Sequence, residues 1–175
     1  MEFLNDTVLV DQLPKAEALA LQPIEPLYLK VLRWEWLITM LLFGAILGTL
    51  AWFIPALQAT RWLSLMGGAW LLTGIIWYLL QERSFHTKAY AVREKDVIYR
   101  SGWIIQHTRT TPFNRILHSS VTAGPLERKY GIATLVLYTA GPGDTDLRIR
   151  GLQEPAAHAL KEWITKKIAD EPLPE

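Results

Sequence analysis

The chain has 175 residues, with 18 basic and 17 acidic side chains, a net charge of +1 and no cysteine. That balance excludes the pronounced basic excess of a nucleic-acid binder, and the missing thiols exclude a disulfide framework, a thiolate zinc site and a cysteine nucleophile. Half of the residues are apolar, and the excess is concentrated between residues 36 and 80.

Residues 1–33 read as an N-terminal lead-in. Glu2, Asp6, Asp11 and Glu17 fall where a signal peptide would need a basic start and an apolar core, so no cleavable signal is expected. Pro14, Pro23 and Pro26 point to an extended or partly helical course near a membrane surface. Tyr28, Trp34 and Trp36 then arrive with Lys30 and Arg33, and amphipathic rings beside basic side chains are what the headgroup layer favours. Glu35, between two tryptophans, reads as an acid at headgroup depth beside Arg33 rather than as a functional group inside the bilayer.

Residues 34–80 read as a transmembrane hairpin. No charged residue lies between Glu35 and Arg61, nor from Trp62 to Gln81. The predicted helices, 36–54 and 62–80, supply about 19 residues each, or roughly 28 Å, close to the ~30 Å hydrocarbon core of a bilayer. A chain this short cannot wrap two such helices inside a soluble core. Gly44 and Gly48 share one face of the first helix, and Ser64 and Gly68 share one face of the second, with Gly67 and Gly74 nearby. Small residues allow close backbone approach in lipid, so these faces are expected to pack the two helices together. Homodimerisation through Gly44 and Gly48 is the alternative. Basic residues crowd both flanks: Lys15, Lys30 and Arg33 before the hairpin, Arg83, Lys88, Arg93 and Lys95 after it, against Arg61 alone in the loop. The expected topology is multi-pass, with both termini cytoplasmic.

The remaining residues, about 95, suffice for one small domain, placed at 85–170 and on the cytoplasmic side. Strand-like runs are expected at Phe85–Val92, Val97–Arg100, Trp103–Thr108, Arg115–Thr122, Ile132–Thr139 and Asp146–Arg150, separated by turns at Arg93–Asp96, Ser101–Gly102, Gly124–Pro125 and Gly141–Asp144. Glu127, Arg128 and Lys129 read as a polar loop. From Glu154 the pattern turns helical, with Pro155 in the first turn and Ala156, Leu160, Trp163, Ile164 and Ile168 forming an apolar stripe. Trp163 is expected to be buried on that stripe, and Pro172 and Pro174 to end the helix. Strands followed by one amphipathic helix imply an α+β domain.

Three segments together carry a family pattern: Arg115-Ile116-Leu117-His118, Gly124-Pro125-Leu126-Glu127-Arg128-Lys129-Tyr130-Gly131-Ile132-Ala133-Thr134-Leu135, and Leu137-Tyr138-Thr139-Ala140-Gly141. With Asp96-Val97-Ile98-Tyr99-Arg100-Ser101-Gly102 ahead of them and Gly151-Leu152 before the last helix, the chain resembles the bacterial PH (pleckstrin-homology-like) domain family, in its YdbS-like branch. The resemblance runs from about Arg33 to Lys167 and implies a bent antiparallel sheet or barrel capped by a C-terminal helix, behind a transmembrane pair. It also implies operation beside a larger membrane protein with repeated PH-like domains, but neither an established ligand nor a catalytic activity. Leu117 departs from the pattern, which has a glutamine after Arg-Ile.

The residues offer little chemistry. His86, His107, His118 and His158 are not paired at ligand spacing on one element, so no metal is expected. Ser119 and Ser120 beside His118 lack the turn of a nucleophile elbow. Gly141-Pro142-Gly143 is too short to cradle a phosphate. The spans hold no ionisable relay. No catalytic residue and no cofactor is expected. The candidate contacts to headgroups or partners are Arg93, Lys95 and Arg100 at the first hairpin and Arg128 and Lys129 in the polar loop. The sequence reading is therefore a membrane-anchored, non-enzymatic interaction module of a bacterial inner membrane, docking a partner membrane protein or further copies of itself. Binding of anionic headgroups is the first alternative, and an accessory subunit of a membrane enzyme or transporter the second.

Overall fold

The computed structural model describes residues 20–57, 59–140 and 146–170. Most of the lead-in, the turn expected at Gly141–Asp144 and the terminal prolines Pro172 and Pro174 lie outside these residues. A short strand β1 (Gln22–Pro23) precedes two long helices, α1 (Leu27–Phe53) and α2 (Thr60–Thr87). Strands β2 (Ala89–Val92), β3 (Asp96–Ser101), β4 (His107–Pro112) and β5 (Ile116–Thr122) follow. A short helix α3 (Pro125–Lys129), strands β6 (Ile132–Thr139) and β7 (Leu147–Gln153), and helix α4 (Glu154–Asp170) complete the chain. Two antiparallel sheets result, ordered β1-β2-β3-β4 and β5-β6-β7. With the closing helix they make an α+β, PH-like domain behind an apolar helical hairpin.

Both hairpin helices are long and apolar enough to cross a membrane. At 27 and 28 residues each spans roughly 40 Å, some 10 Å more than the hydrocarbon core. The excess lies at the domain end and is used there. Helix α1 starts at Leu27 rather than at Trp36, because Tyr28, Val31 and Leu32 on one face of its first turns are buried with Ile24, Phe85 and Ile132. Helix α2 likewise runs seven residues past Leu80 to Thr87, so the first strand after it begins at Ala89 and not at Phe85. Hairpin and domain share this core.

The helices touch through fewer small residues than expected. A Cβ on Gly44 would stand 3.0 Å from the Trp70 ring, and one on Gly74 would stand 2.7 Å from Met40 Sδ. Trp36 Nε1 donates to the Gly74 carbonyl at 3.0 Å, and Arg33 pairs with Glu82 at 2.7 Å across the same interface. Gly48 and Gly68 have no such neighbour within 4 Å. The Ser64 hydroxyl turns back onto its own helix, donating to the Thr60 carbonyl at 2.9 Å. The contact therefore runs through Gly44 and Gly74 towards the domain end.

The main core draws Val97 and Tyr99 from the first sheet, Phe113, Ile116, Leu135, Leu137, Leu147 and Ile149 from the second sheet and the turn leading into it, and Ala157 and Ile164 from α4. Trp163 lies on the flank of the α4 stripe instead. It is 39 % exposed and meets Phe113 edge-on, with ring centroids 5.6 Å apart. Three shorter differences have local causes. Trp103–Ile105 forms a bend rather than a strand, since the ladder from β3 to β4 closes only at Ser101 and His107. Glu127–Lys129 is helical because the Glu127 carboxylate accepts from the Gly124 amide at 2.8 Å, tying down the first turn. Leu117 sits in a bulge between β5 and β6 and is 60 % exposed, so the residue that departs from the family pattern faces outwards.

A second bulge shapes the junction. Ala133 pairs with Leu152 and Leu135 with Ile149, so Arg150 and Gly151 together oppose Thr134. Gly151 takes φ +78°, which a residue with a Cβ rarely adopts. This kink brings the β7 backbone against Tyr28, and the Gly151 carbonyl accepts from the Glu25 amide at 2.9 Å.

Candidate functional site

The five basic residues singled out from the sequence do not form one patch. The chain passes from Thr87 at the end of α2 to Ala89 at the start of β2, and Ala89 pairs with Arg100. Arg100 therefore lies at the hairpin end of the ladder. Arg93 and Lys95 form the turn at the opposite end, a strand length of about 10–13 Å away. The Arg93 guanidinium is also committed locally to the Asp96 carboxylate, with Nε donating to Oδ1 at 2.5 Å. The grouping of Arg93, Lys95 and Arg100 around one turn fails because β3 is long enough to separate them. Lys129 is on the other side of the junction, with its ammonium 5.9 Å from the Trp34 ring on α1 and 5.9 Å from that of Tyr130. Arg128 is exposed beside it.

A recess lies where the hairpin meets the second sheet. It encloses about 600 Å³ between α1, α3 and strands β5 to β7, with Tyr28, Glu35 and Ile38 on one wall and Arg148 and Arg150 on the other. Alternation along β7 produces the second wall: Leu147 and Ile149 point into the core, and Arg148 and Arg150 point out. Glu127, at the rim, is already satisfied by the Gly124 amide and by the Thr134 hydroxyl, which donates to it at 3.0 Å. Lys88 borders the same charges, its ammonium 5.5 Å from the Tyr28 ring. Burial holds that ammonium below the usual lysine range; the Arg150 charge adds to the effect and the Glu35 carboxylate opposes it. The recess thus brings two guanidiniums and one carboxylate together, next to apolar Ile38 and Val136.

Sequence reasoning noted Glu35 but overlooked Arg148, Arg150 and Lys88 as a set. The period-two pattern Leu147-Arg148-Ile149-Arg150 could have placed the two arginines on one face, yet nothing local shows that α1 faces them. The four histidines sit on four separate elements, α2, β4, β5 and α4. His118 stacks on Tyr138 with centroids 4.1 Å apart. Ser119 shares a 3.1 Å hydrogen bond with Thr165 and so ties β5 to α4.

Comparison with known proteins agrees with this architecture. The model of the bacterial PH domain family matches residues 26–168. That range begins one residue before α1 and so takes in both apolar helices along with the sheets. The chain is similar to the UPF0699 transmembrane protein YdbS of Bacillus subtilis (strain 168), 29 % identical over 107 residues. The matched stretch covers 60 % of this chain and 65 % of YdbS, less than two thirds of the relative's length. No solved structure matches the chain. With most of its length matched, the chain belongs to the bacterial PH domain family.

Proposed function

We propose that this protein is a membrane-anchored, non-enzymatic docking module. It holds a PH-like domain at the cytoplasmic face of a bacterial inner membrane, with both termini cytoplasmic. Its partner is a membrane protein carrying PH-like domains of its own, or a second copy of this chain. The observation that supports this reading is the shared core of Tyr28, Val31, Leu32, Phe85 and Ile132. A domain built onto its anchor in this way presents its surfaces at a fixed height and angle, which serves recognition of another membrane-held protein.

The surface for docking is the outer edge of β4, which has no further strand beside it among the described residues. An edge strand offers its main chain to a partner strand that can extend the sheet. Photo-crosslinking residues at the exposed positions Thr108 and Thr110, followed by capture from native membranes, tests the reading. We expect discrete adducts with one membrane protein or a second copy, unchanged when Arg93, Lys95 and Arg100 are neutralised. Absence of adducts from both positions would remove the docking reading. Reporter fusions at residue 20 and at the C-terminus test the orientation, and a periplasmic signal from either would reverse it.

The alternative, a headgroup-binding module, is favoured by a different observation, the recess of Arg148 and Arg150 facing Glu35. Phospholipid retained by the purified protein, and lost in Arg148→Gln/Arg150→Gln, would support it.

A further inference from the structure

The bend between β3 and β4 carries Trp103, Ile104 and Ile105 at 46, 76 and 67 % exposure, three large apolar side chains in a row facing outwards. Isolated exposed apolar residues are ordinary, whereas a contiguous exposed apolar tip on a hairpin whose other apolar side chains are buried marks an interaction surface. Its position says which surface. β3 ends beside Ala89, at the hairpin end of the ladder, and the chain continues past that point before turning into β4. The Arg83 guanidinium on α2 stands 5.9 Å over the Trp103 ring. Arg83 is three residues beyond Leu80, the last apolar residue of the uncharged run, so Trp103 shares the depth at which α2 leaves the hydrocarbon.

The tip is also held in shape. Gly102 takes φ +96°, and a Cβ there would lie 2.1 Å from the Ile105 carbonyl oxygen, so the bend closes tightly on its own backbone. We infer that Trp103, Ile104 and Ile105 form a second, non-helical membrane contact that dips into the boundary between headgroups and acyl chains. It is continuous with the lipid-facing surface of the hairpin. Tryptophan is suited to that boundary, with its apolar ring in the acyl layer and its N–H towards water. The occupant is lipid rather than protein because the patch adjoins the surface already wrapped by the bilayer. No particular headgroup is required, which sets this contact apart from the recess lined by Arg148 and Arg150. The inference rests on the chain being membrane-anchored and is independent of what docks on β4.

The absence of cysteine allows a direct test. Single-cysteine variants Ile104→Cys, Lys95→Cys and Thr49→Cys of the full chain are labelled with the environment-sensitive dye NBD. They are then reconstituted in vesicles of phosphatidylethanolamine and phosphatidylglycerol. Dye at position 104 is expected to emit to the blue of dye at position 95 and to be quenched by lipids carrying a nitroxide on the acyl chain. Dye at position 49, inside α1, reports whether the hairpin itself is inserted. Water-like, unquenched emission at 104 with quenched emission at 49 would overturn the inference while leaving the anchor intact. A blue-shifted signal at 104 that nitroxide lipids do not quench would mean that protein covers the tip, and would overturn it equally.

Discussion

The Cβ that Gly151 lacks would stand 2.9 Å from two ring atoms of Tyr28, although the two residues are far apart in the chain. The bulge in β7, the positive φ of Gly151 and the early start of α1 all converge on this contact. It joins the anchoring hairpin to the PH-like domain.

Gly151→Ala meets both obstacles at once. The backbone conformation alone costs a residue with a Cβ about 1–3 kcal/mol, and the Tyr28 ring must move to admit the methyl group. Thermal unfolding of the detergent-solubilised protein should show a clear loss. In a Tyr28→Ala background the same substitution should cost less, because the ring it displaces is gone. Strict additivity of the two changes would show that the ring and Gly151 do not press on each other.

The closing helix gives a second contrast. Ile164 is fully buried in the main core, so Ile164→Ala should cost ~2–5 kcal/mol. Trp163 is larger but keeps much of its ring in solvent. Its edge contact with Phe113 is worth ~0.5–1.5 kcal/mol, and Trp163→Ala should therefore lower the melting temperature less than Ile164→Ala does. The reverse order would place Trp163 in the core.

That contrast illustrates how far the sequence could be read. The uncharged runs before and after Arg61 announced the hairpin, and the bounds of β6, Ile132–Thr139, are those its β-branched run suggests. Between Trp163 and Ile164 the periodicity alone cannot choose, because both lie near the stripe and only the angle of α4 over the sheets decides. Leu27–Arg33 looked like a proline-marked lead-in, since what makes it helical is burial of Tyr28, Val31 and Leu32 by a domain that follows much later. Trp103-Ile104-Ile105 has strand propensity but no ladder partner. Of the candidate contacts, Arg93 and Arg100 are close in sequence yet lie at opposite ends of one hairpin. The recess that brings Arg148 and Arg150 opposite Glu35 depends on a fold-level contact that no local pattern encodes.

The hairpin offers a third test. Gly44 is packed against Trp70, whereas Gly48 and Gly68 face open space. Gly44→Leu should disrupt the contact between α1 and α2, read as increased protease sensitivity of the solubilised protein. Gly48→Leu and Gly68→Leu should leave that contact alone. If copies associate through the open glycines, those two variants should instead lose the dimer band in membrane crosslinking. Equal protease sensitivity in all three variants would contradict the packing described.

Hairpin and domain form one body through the shared core of Tyr28, Val31, Leu32, Phe85 and Ile132, and the distance between them measures this most directly. The cysteine-free chain accepts spin labels at Thr49→Cys in α1 and Asn114→Cys in the exposed turn between β4 and β5. Pulsed electron paramagnetic resonance in lipid nanodiscs should give a single narrow distance distribution, broadened when Gly151→Leu forces Tyr28 out of its seat. A distribution already broad in the unaltered junction would mean that the domain swings freely on its anchor, and would contradict the account.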